Sequence, residues 1–316
     1  MRVVFLVLVM TLSLFAVKPV NPVSHYSASG AVVDMIVDNG LIYCATDASG
    51  VDIIDLKSKK IIKQIKVDEI KDFMGDLVDT KVYSVDFMDG KILILSQAEQ
   101  GFRRLYIHQN GKNELVIDID AQLSIAKAKF LDKNTVLLAL LGDELISYDL
   151  QKRKQNWRVQ VSGSKFSNFV LNEDRSQVVV ADESGDLQIV ATKDGTHLKT
   201  LSGQNLDNVF QVDTKNGIIA TAGKDRRIVI YAPKFNSAYY KHAEFLIYSV
   251  GLSPSGKVVG YASDENNNVT LFNTITKSEI GLYGGNKMTL SNILFINENE
   301  FFVSSDDKTI NFYKIN

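Results

Sequence analysis

The sequence has few of the residues that build covalent cross-links and metal sites. Its single cysteine, Cys44, cannot form an internal disulfide, and its position in the apolar run "LIYCATD" predicts a buried, inert thiol. The four histidines show no H-x-H, H-E-x-x-H or cysteine–histidine spacing. We therefore predict no metal-binding, cofactor-binding or catalytic residues. The histidines are His25, His108, His197 and His242.

An excess of charge of one sign is also missing. The 35 lysines and arginines nearly balance the 37 aspartates and glutamates, which gives a net charge of −2. A chain without a positive field does not attract phosphate backbones, so nucleic acid is not a predicted partner. Apolar residues make up 45% of the 316 residues, enough for a sizeable core.

The N-terminus reads "MRVVFLVLVMTLSLFAVKPVNP", with one arginine before an apolar run that ends at Val17. This pattern predicts a signal peptide over residues 1–16, cleaved near Ala16, and a single exported domain over residues 17–316 in the periplasm. An uncleaved anchor is the alternative. Because Cys44 lies far beyond the apolar run, no cysteine is placed to carry a lipid, and we expect no stable membrane anchor after cleavage.

Short strand-like runs recur along the chain at a nearly constant period. Equivalent positions in seven runs are 53, 41, 42, 41, 41 and 41 residues apart. Each run follows a strand that opens from a polar turn such as "DNGL" or "PSGK", which is a strong hairpin signal. Four antiparallel strands per unit, repeated seven times, predict an all-β, seven-bladed β-propeller. The equivalent positions are Ile54, Ile107, Tyr148, Val190, Tyr231, Phe272 and Tyr313.

The repeats resemble the WD40 family in a degenerate form. Tyr148-Asp149 and Ile54-Asp55 occupy the place of the family's Trp-Asp pair, and Asp225 and Asp307 match its structural aspartate. Most repeats lack the Gly-His pair, so we expect apolar sheet packing to hold the blades together. The last repeat has only three strands, and the N-terminal run "VSHYSAS" (23–29) is predicted to close the ring as its outer strand.

The one long interval between repeats contains an insert, "DEIKDFMGDLVDT" (68–80), between the first and second blades. It sets Phe73 and Met74 among acidic residues, and we expect it to stand beside "GFRR" on the same rim. One interpretation folds the pair down as a plug over the tunnel; the other leaves it exposed as a partner-binding lip. The predicted partner-binding residues are Asp72, Phe73, Met74, Asp76, Phe102, Arg103 and Arg104.

Part of the sequence also resembles the NapL-type accessory proteins of the periplasmic nitrate reductase system. The resemblance rests on "ATDASGVDIIDLKSKKIIKQIKVD" and "DFMGDLVDTKVYSVDFMDGKILILSQAEQGFRR", in the first two blades. It implies a non-catalytic periplasmic factor whose partner is the nitrate reductase or its maturation factors. The alternatives are a scaffold for outer-membrane protein assembly, or a propeller enzyme such as a hydrolase or a quinone-dependent dehydrogenase.

Overall fold

The computed structural model describes residues 18–315, so the predicted signal peptide, residues 1–16, lies outside the described residues. Seven four-stranded antiparallel sheets follow one another around a ring, which confirms the predicted all-β, seven-bladed propeller. A two-stranded sheet is the only addition among the described strands. Within residues 18–315, no helix is long and apolar enough to cross a membrane.

The strands are numbered in chain order. Blades 1 to 6 consist of β2–β5, β8–β11, β12–β15, β16–β19, β20–β23 and β24–β27, and blade 7 consists of β28–β30 with β1 as its outer strand. The strand bounds are β1 Ser24–Ser27, β2 Val32–Asp38, β3 Leu41–Thr46, β4 Gly50–Asp55, β5 Ile61–Lys66, β6 Ile70–Lys71, β7 Leu77–Val78, β8 Val82–Met88, β9 Lys91–Gln97, β10 Arg103–Gln109, β11 Lys112–Ile117, β12 Ile125–Asp132, β13 Thr135–Leu140, β14 Glu144–Asp149, β15 Lys154–Gln160, β16 Phe166–Leu171, β17 Gln177–Asp182, β18 Leu187–Ala191, β19 His197–Leu201, β20 Val209–Lys215, β21 Ile218–Gly223, β22 Arg227–Ala232, β23 Ser237–His242, β24 Val250–Leu252, β25 Val258–Ala262, β26 Val269–Asn273, β27 Glu279–Tyr283, β28 Leu290–Asn297, β29 Glu300–Ser305 and β30 Asp307–Lys314. In the described part of the chain, three 3₁₀ turns complete the elements at Glu99–Gly101, Ile119–Ala121 and Pro233–Phe235.

The blades form where the sequence supplies turns with positive φ. Asn39-Gly40, with φ of 46° and 77°, and Asn216-Gly217, with φ of 50° and 74°, join the first and second strands of blades 1 and 5. Asparagine and glycine tolerate this left-handed backbone, and the resulting tight turn suits the twist of antiparallel strands. Between the blades lies the core. Phe130, for example, is fully buried in an apolar cluster shared by blades 2 and 3.

The ring closes as predicted, with the N-terminal strand as the outer strand of blade 7. Strand β1 pairs antiparallel with β30, Tyr26 lying opposite Ile310. The Tyr26 ring is 5% exposed and packs edge-on against Phe302 at a centroid distance of 5.5 Å. Because β1 comes from the other end of the chain, blade 7 joins the two ends of the propeller and leaves β30 without a free edge.

Side chains on the innermost strands also join neighbouring blades, which the sequence analysis did not anticipate. A polar side chain of one inner strand bonds to the backbone of the next, whose inner edge has no strand partner. The expectation that apolar packing alone holds the blades was therefore incomplete. These bonds include Val85 N to Asp34 Oδ2 (3.0 Å), Ser84 Oγ to Ala128 O (2.7 Å), Phe130 N to Asp86 Oδ2 (2.8 Å), Leu252 N to Asp213 Oδ2 (2.8 Å) and Ser291 Oγ to Val32 O (2.7 Å).

Candidate functional site

The insert between blades 1 and 2, residues 68–80, folds as a small hairpin, which we call the rim hairpin. Strands β6 and β7 pair through Ile70 and Lys71. It lies on the upper rim, the end of the ring where outer strands connect to the next inner strands. The sequence predicted the place of this insert but not its hairpin conformation, because strands of two residues carry no readable alternation.

The turn of the rim hairpin is ordered by Asp72. Its Oδ1 accepts hydrogen bonds from Met74 N at 2.8 Å and from Asp76 N at 3.0 Å, and Gly75 takes a φ of 89°. An aspartate that bonds to the backbone two residues on is typical of a tight turn. Asp72 is one of the predicted partner-binding residues, and in the structure its Oδ1 holds the tip of the hairpin.

The base of the rim hairpin is fixed to blade 1. Ser49 Oγ donates to Asp79 Oδ1 at 2.6 Å and accepts from Thr80 N at 2.8 Å, while Thr80 Oγ1 donates to Asp68 O at 2.6 Å. Ile70 is 4% exposed and Thr80 is fully buried. The hairpin is therefore a projection with a firm base rather than an unanchored loop.

The tip carries large apolar side chains in solvent. Phe73 is 95% exposed, Met74 is 72% exposed and Leu77 is 64% exposed. A plug over the tunnel would bury Phe73 and Met74, so the plug interpretation is wrong. The exposed lip describes the arrangement, and partner binding by these residues stays a prediction. Apolar residues ringed by charge commonly mark interaction sites.

The predicted neighbours of the tip have other roles. Arg104 is bound to Glu99 at 2.7 Å and to Asp118 at 3.0 Å. The Arg103 guanidinium lies over the Tyr83 ring, 4.0 Å from its centroid. Phe102 is partly buried, and no hydrogen bond, ion pair or ring contact in the described chain joins residues 102–104 to the tip. These contacts are all within the chain, and partner binding by Phe102, Arg103 and Arg104 stays a prediction.

The base of the rim hairpin also lies near blade 2. The pKa of Tyr106, on the third strand of that blade, is raised to about 12 by burial, and the Asp68 carboxylate contributes to the rise. A carboxylate raises the pKa of a tyrosine only when it lies close by, because it disfavours a second negative charge. Asp68 therefore lies near the third strand of blade 2.

A second polar feature, missed in the sequence, lines the central tunnel. Lys129 Nζ pairs with Asp34 Oδ2 at 2.7 Å across blades 1 and 3, and Arg175 Nη1 pairs with Asp86 Oδ2 at 2.9 Å across blades 2 and 4. Such pairs combine charges with additional hydrogen bonds; Lys129 Nζ also donates to Val85 O at 2.7 Å. Both ion pairs join blades that are not next to each other in the ring. The four charged side chains therefore have a structural role.

Lys127 is a buried tunnel residue with a lowered pKa. Burial lowers its pKa to about 8, and the nearby Lys129 ammonium lowers it further against the opposing effect of Asp34. Its Nζ donates to Asn168 Oδ1 at 3.0 Å and to Phe169 O at 2.8 Å. The adjoining cavity measures about 290 Å³, at the small end for ligand pockets, and Lys127, Lys129 and Arg175 are all hydrogen-bonded within the protein.

Within residues 18–315, no three His, Cys, Asp or Glu side chains are grouped closely enough to hold a metal ion. Cys44 is fully buried, as predicted, and burial raises the pKa of its thiol well above the ordinary value. A thiol kept protonated is a poor nucleophile, which agrees with the expected inert side chain. His108 bonds to Asn113 at 2.6 Å and to Lys63 at 2.9 Å.

Comparison with known proteins shows the fold and nothing narrower. No protein-family model and no curated protein matches the chain. The chain is similar to the β-propeller domain of Cps50 (Swd1) from Myceliophteria thermophila, with a TM-score of 0.73 and 12% identity, over 94% of this chain and 99% of that one. It is also similar to a chain in the crystal structure of the mitotic checkpoint complex, with a TM-score of 0.75 and 15% identity, over 100% and 99%.

These likenesses show that the chain has the fold of a WD40-type seven-bladed β-propeller. Identities this low carry no activity or partner from one propeller to another. The narrower resemblance to NapL-type accessory proteins receives no support from the comparisons.

Proposed function

We propose that this chain is a non-catalytic scaffold that binds a protein partner through the rim hairpin. The observation that carries the proposal is the exposed Phe73-Met74 tip on a base fixed by Ser49 and Thr80. Interfaces depend on a few large apolar anchors that lose their water on binding, and a firm base lowers the entropy lost when they dock. The propeller fold, shared with a chain of a multi-protein assembly, is consistent with this role.

The acidic residues of the rim hairpin define the chemistry of the partner. Asp76 and Glu69 are exposed, and neither side chain takes part in a hydrogen bond or ion pair of the described chain. They are therefore available to steer a partner with a basic border, since charges at the edge of an interface act mainly on the rate of encounter. We infer a partner surface with an apolar pocket surrounded by lysine or arginine.

The more specific proposal is a periplasmic partner, the nitrate reductase or one of its maturation factors. Export is supported by the apolar N-terminal run, and the partner is supported by the resemblance of the first two blades to NapL-type proteins. Residues 72–80 of the rim hairpin belong to one of the two resembling stretches. The bonded tunnel charges Asp34, Lys129 and Arg175 favour the scaffold over the propeller-enzyme alternative, because they are engaged in joining blades.

The test is capture of the purified nitrate reductase by the immobilised mature protein. Phe73→Ala with Met74→Ala should abolish capture, since each truncated anchor commonly costs about 2 kcal/mol of binding free energy. Phe235→Ala, at an 81% exposed phenylalanine on the opposite rim, is the matched control and should bind like the parent. Failure of the parent to bind would exclude the reductase, and retained binding by the hairpin variant would exclude the rim hairpin as the site.

A further inference from the structure

The end of the ring opposite the rim hairpin, the lower rim, carries a groove between blades 5 and 6. Its cavity of about 550 Å³ is lined by Ile218 and Tyr239 and bordered by Phe235 and Ile275, which lie in the turns between third and fourth strands. Phe235 is 81% exposed and Ile275 is 69% exposed. A concave apolar surface between two exposed apolar side chains is typical of a docking site.

Two lysines line this groove, and two more lie next to its lining residues, one of them donating to Lys277 O at 3.4 Å. Two carboxylates, Glu173 and Glu298, are bonded to Asn216 N and to Ser255 at its edge, which leaves the lysines in excess. The ion pairs of the described chain use other lysines, so these four have no carboxylate within salt-bridge distance. Lys277 Nζ lies 4.2 Å from the centre of the Tyr239 ring, directly beside the cavity. The groove therefore suits an acidic segment that presents large apolar side chains. The lysines are Lys234, Lys241, Lys257 and Lys277.

The rim hairpin of this same chain is such a segment. Its exposed Phe73, Met74 and Leu77 are set among acidic residues, and one lysine, Lys71, is its sole positive charge. The acidic residues are Asp68, Glu69, Asp72, Asp76 and Asp79. Since the hairpin stands on the upper rim and the groove on the lower rim, they cannot meet within one molecule. We propose that the rim hairpin of one copy docks into the groove between blades 5 and 6 of a second copy.

The two surfaces are different, so the contact is heterologous. Such a pair keeps one unused groove on one copy and one unused hairpin on the other, which lets further copies add head to tail. Self-association and capture of another protein use the same Phe73-Met74 tip and therefore compete. The proposal goes beyond the scaffold function, since its groove plays no part in partner capture. The groove variants below consequently separate the two: they disturb self-association and leave capture of the reductase intact.

The test reverses charges on each of the two surfaces and measures the mass of the associated protein by sedimentation equilibrium at low salt. Lys257→Glu with Lys277→Glu makes a groove variant, and Glu69→Lys with Asp76→Lys makes a hairpin variant. Each alone faces like charges and should associate at least about tenfold more weakly than the parent. An equimolar mixture should recover association, because each variant then meets the opposite charge. A protein that had merely unfolded would not recover.

The control, Lys57→Glu with Lys60→Glu, makes the same charge change at exposed lysines in the lower-rim turn of blade 1 and should associate like the parent. Raising the salt concentration should weaken association of the parent, since exposed charges are screened. The proposal is overturned if the parent stays monomeric at every concentration, if the groove variant associates like the parent, or if the mixture of the two variants gains nothing over each alone.

Discussion

A buried carboxylate in blade 3 should make the stability of the propeller depend on pH. Asp143 lies in the turn between β13 and β14, is 1% exposed, and has no hydrogen-bond partner for either carboxylate oxygen in the described structure. Burial raises its pKa from 3.8 to about 6; the nearby Ser162 opposes the rise, and the neighbouring Asp182 carboxylate adds to it. The charged form of Asp143 is therefore disfavoured in the folded protein.

The sign and size of the effect follow from the two pKa values. Below about pH 4 the carboxyl is protonated in both the folded and the unfolded chain, and it costs nothing. Between pH 4 and 6 only the unfolded chain ionises, so the free energy of unfolding falls as the pH rises. Above pH 6 the loss is complete, at about 3 kcal/mol for a shift of this size.

Asp143→Asn removes the charge and keeps the shape, and asparagine tolerates the φ of 61° at this position. We expect the variant to match the parent near pH 4 and to exceed it by up to about 3 kcal/mol at pH 7.5, as measured by urea unfolding at both pH values. Asp182→Asn is the control. Asp182 accepts from Ser162 Oγ at 2.6 Å and Ser184 N at 2.7 Å, so its replacement should destabilise the protein at pH 7.5. An Asp143→Asn variant less stable than the parent at pH 7.5 would refute the reasoning.

Two further predictions concern the ring. Deleting residues 23–29 removes the outer strand of blade 7, and a deletion variant that melts within a degree or two of the parent would contradict the closure. Tyr26→Ala alone should lower the free energy of unfolding by about 3 kcal/mol, because the Tyr26 ring is buried against Phe302. Arg175→Ala leaves the Asp86 carboxylate, 4% exposed, with Phe130 N as its remaining partner, and should cost about 2 kcal/mol in urea unfolding. The neutral pair Asp86→Asn with Arg175→Met should recover part of that loss, and a cost near zero for Arg175→Ala would show that the tunnel pair contributes nothing.

The fold was predictable because its signals are local. Turns such as Asn39-Gly40 and Asn216-Gly217 need residues that accept positive φ, and such turns recur at the period of the blades. The closing strand followed from counting, since a three-stranded last blade requires a fourth strand from elsewhere.

The polar contacts of the site could not be predicted in the same way. Asp34 and Lys129 are 95 residues apart, and their contact exists only because the ring brings blades 1 and 3 to one tunnel. The sequence did contain a signal for polar contacts between blades, because a polar residue interrupts the middle of most inner strands, as Ser84 and Gln211 do. The exposure of the Phe73-Met74 tip likewise depends on bonds from Ser49, which lies in a different part of the sequence.

Site-specific photocrosslinking tests the central claim, that the rim hairpin binds a protein partner. A photoreactive phenylalanine analogue is placed at Phe73 in cells that express the nitrate reductase, and the same analogue at Phe235 serves as the control, because both positions are exposed and carry an aromatic ring. The account predicts a crosslink to the reductase or to one of its maturation factors from Phe73 and none from Phe235. Crosslinks to such a partner from Phe235 alone, or from neither position, would contradict it.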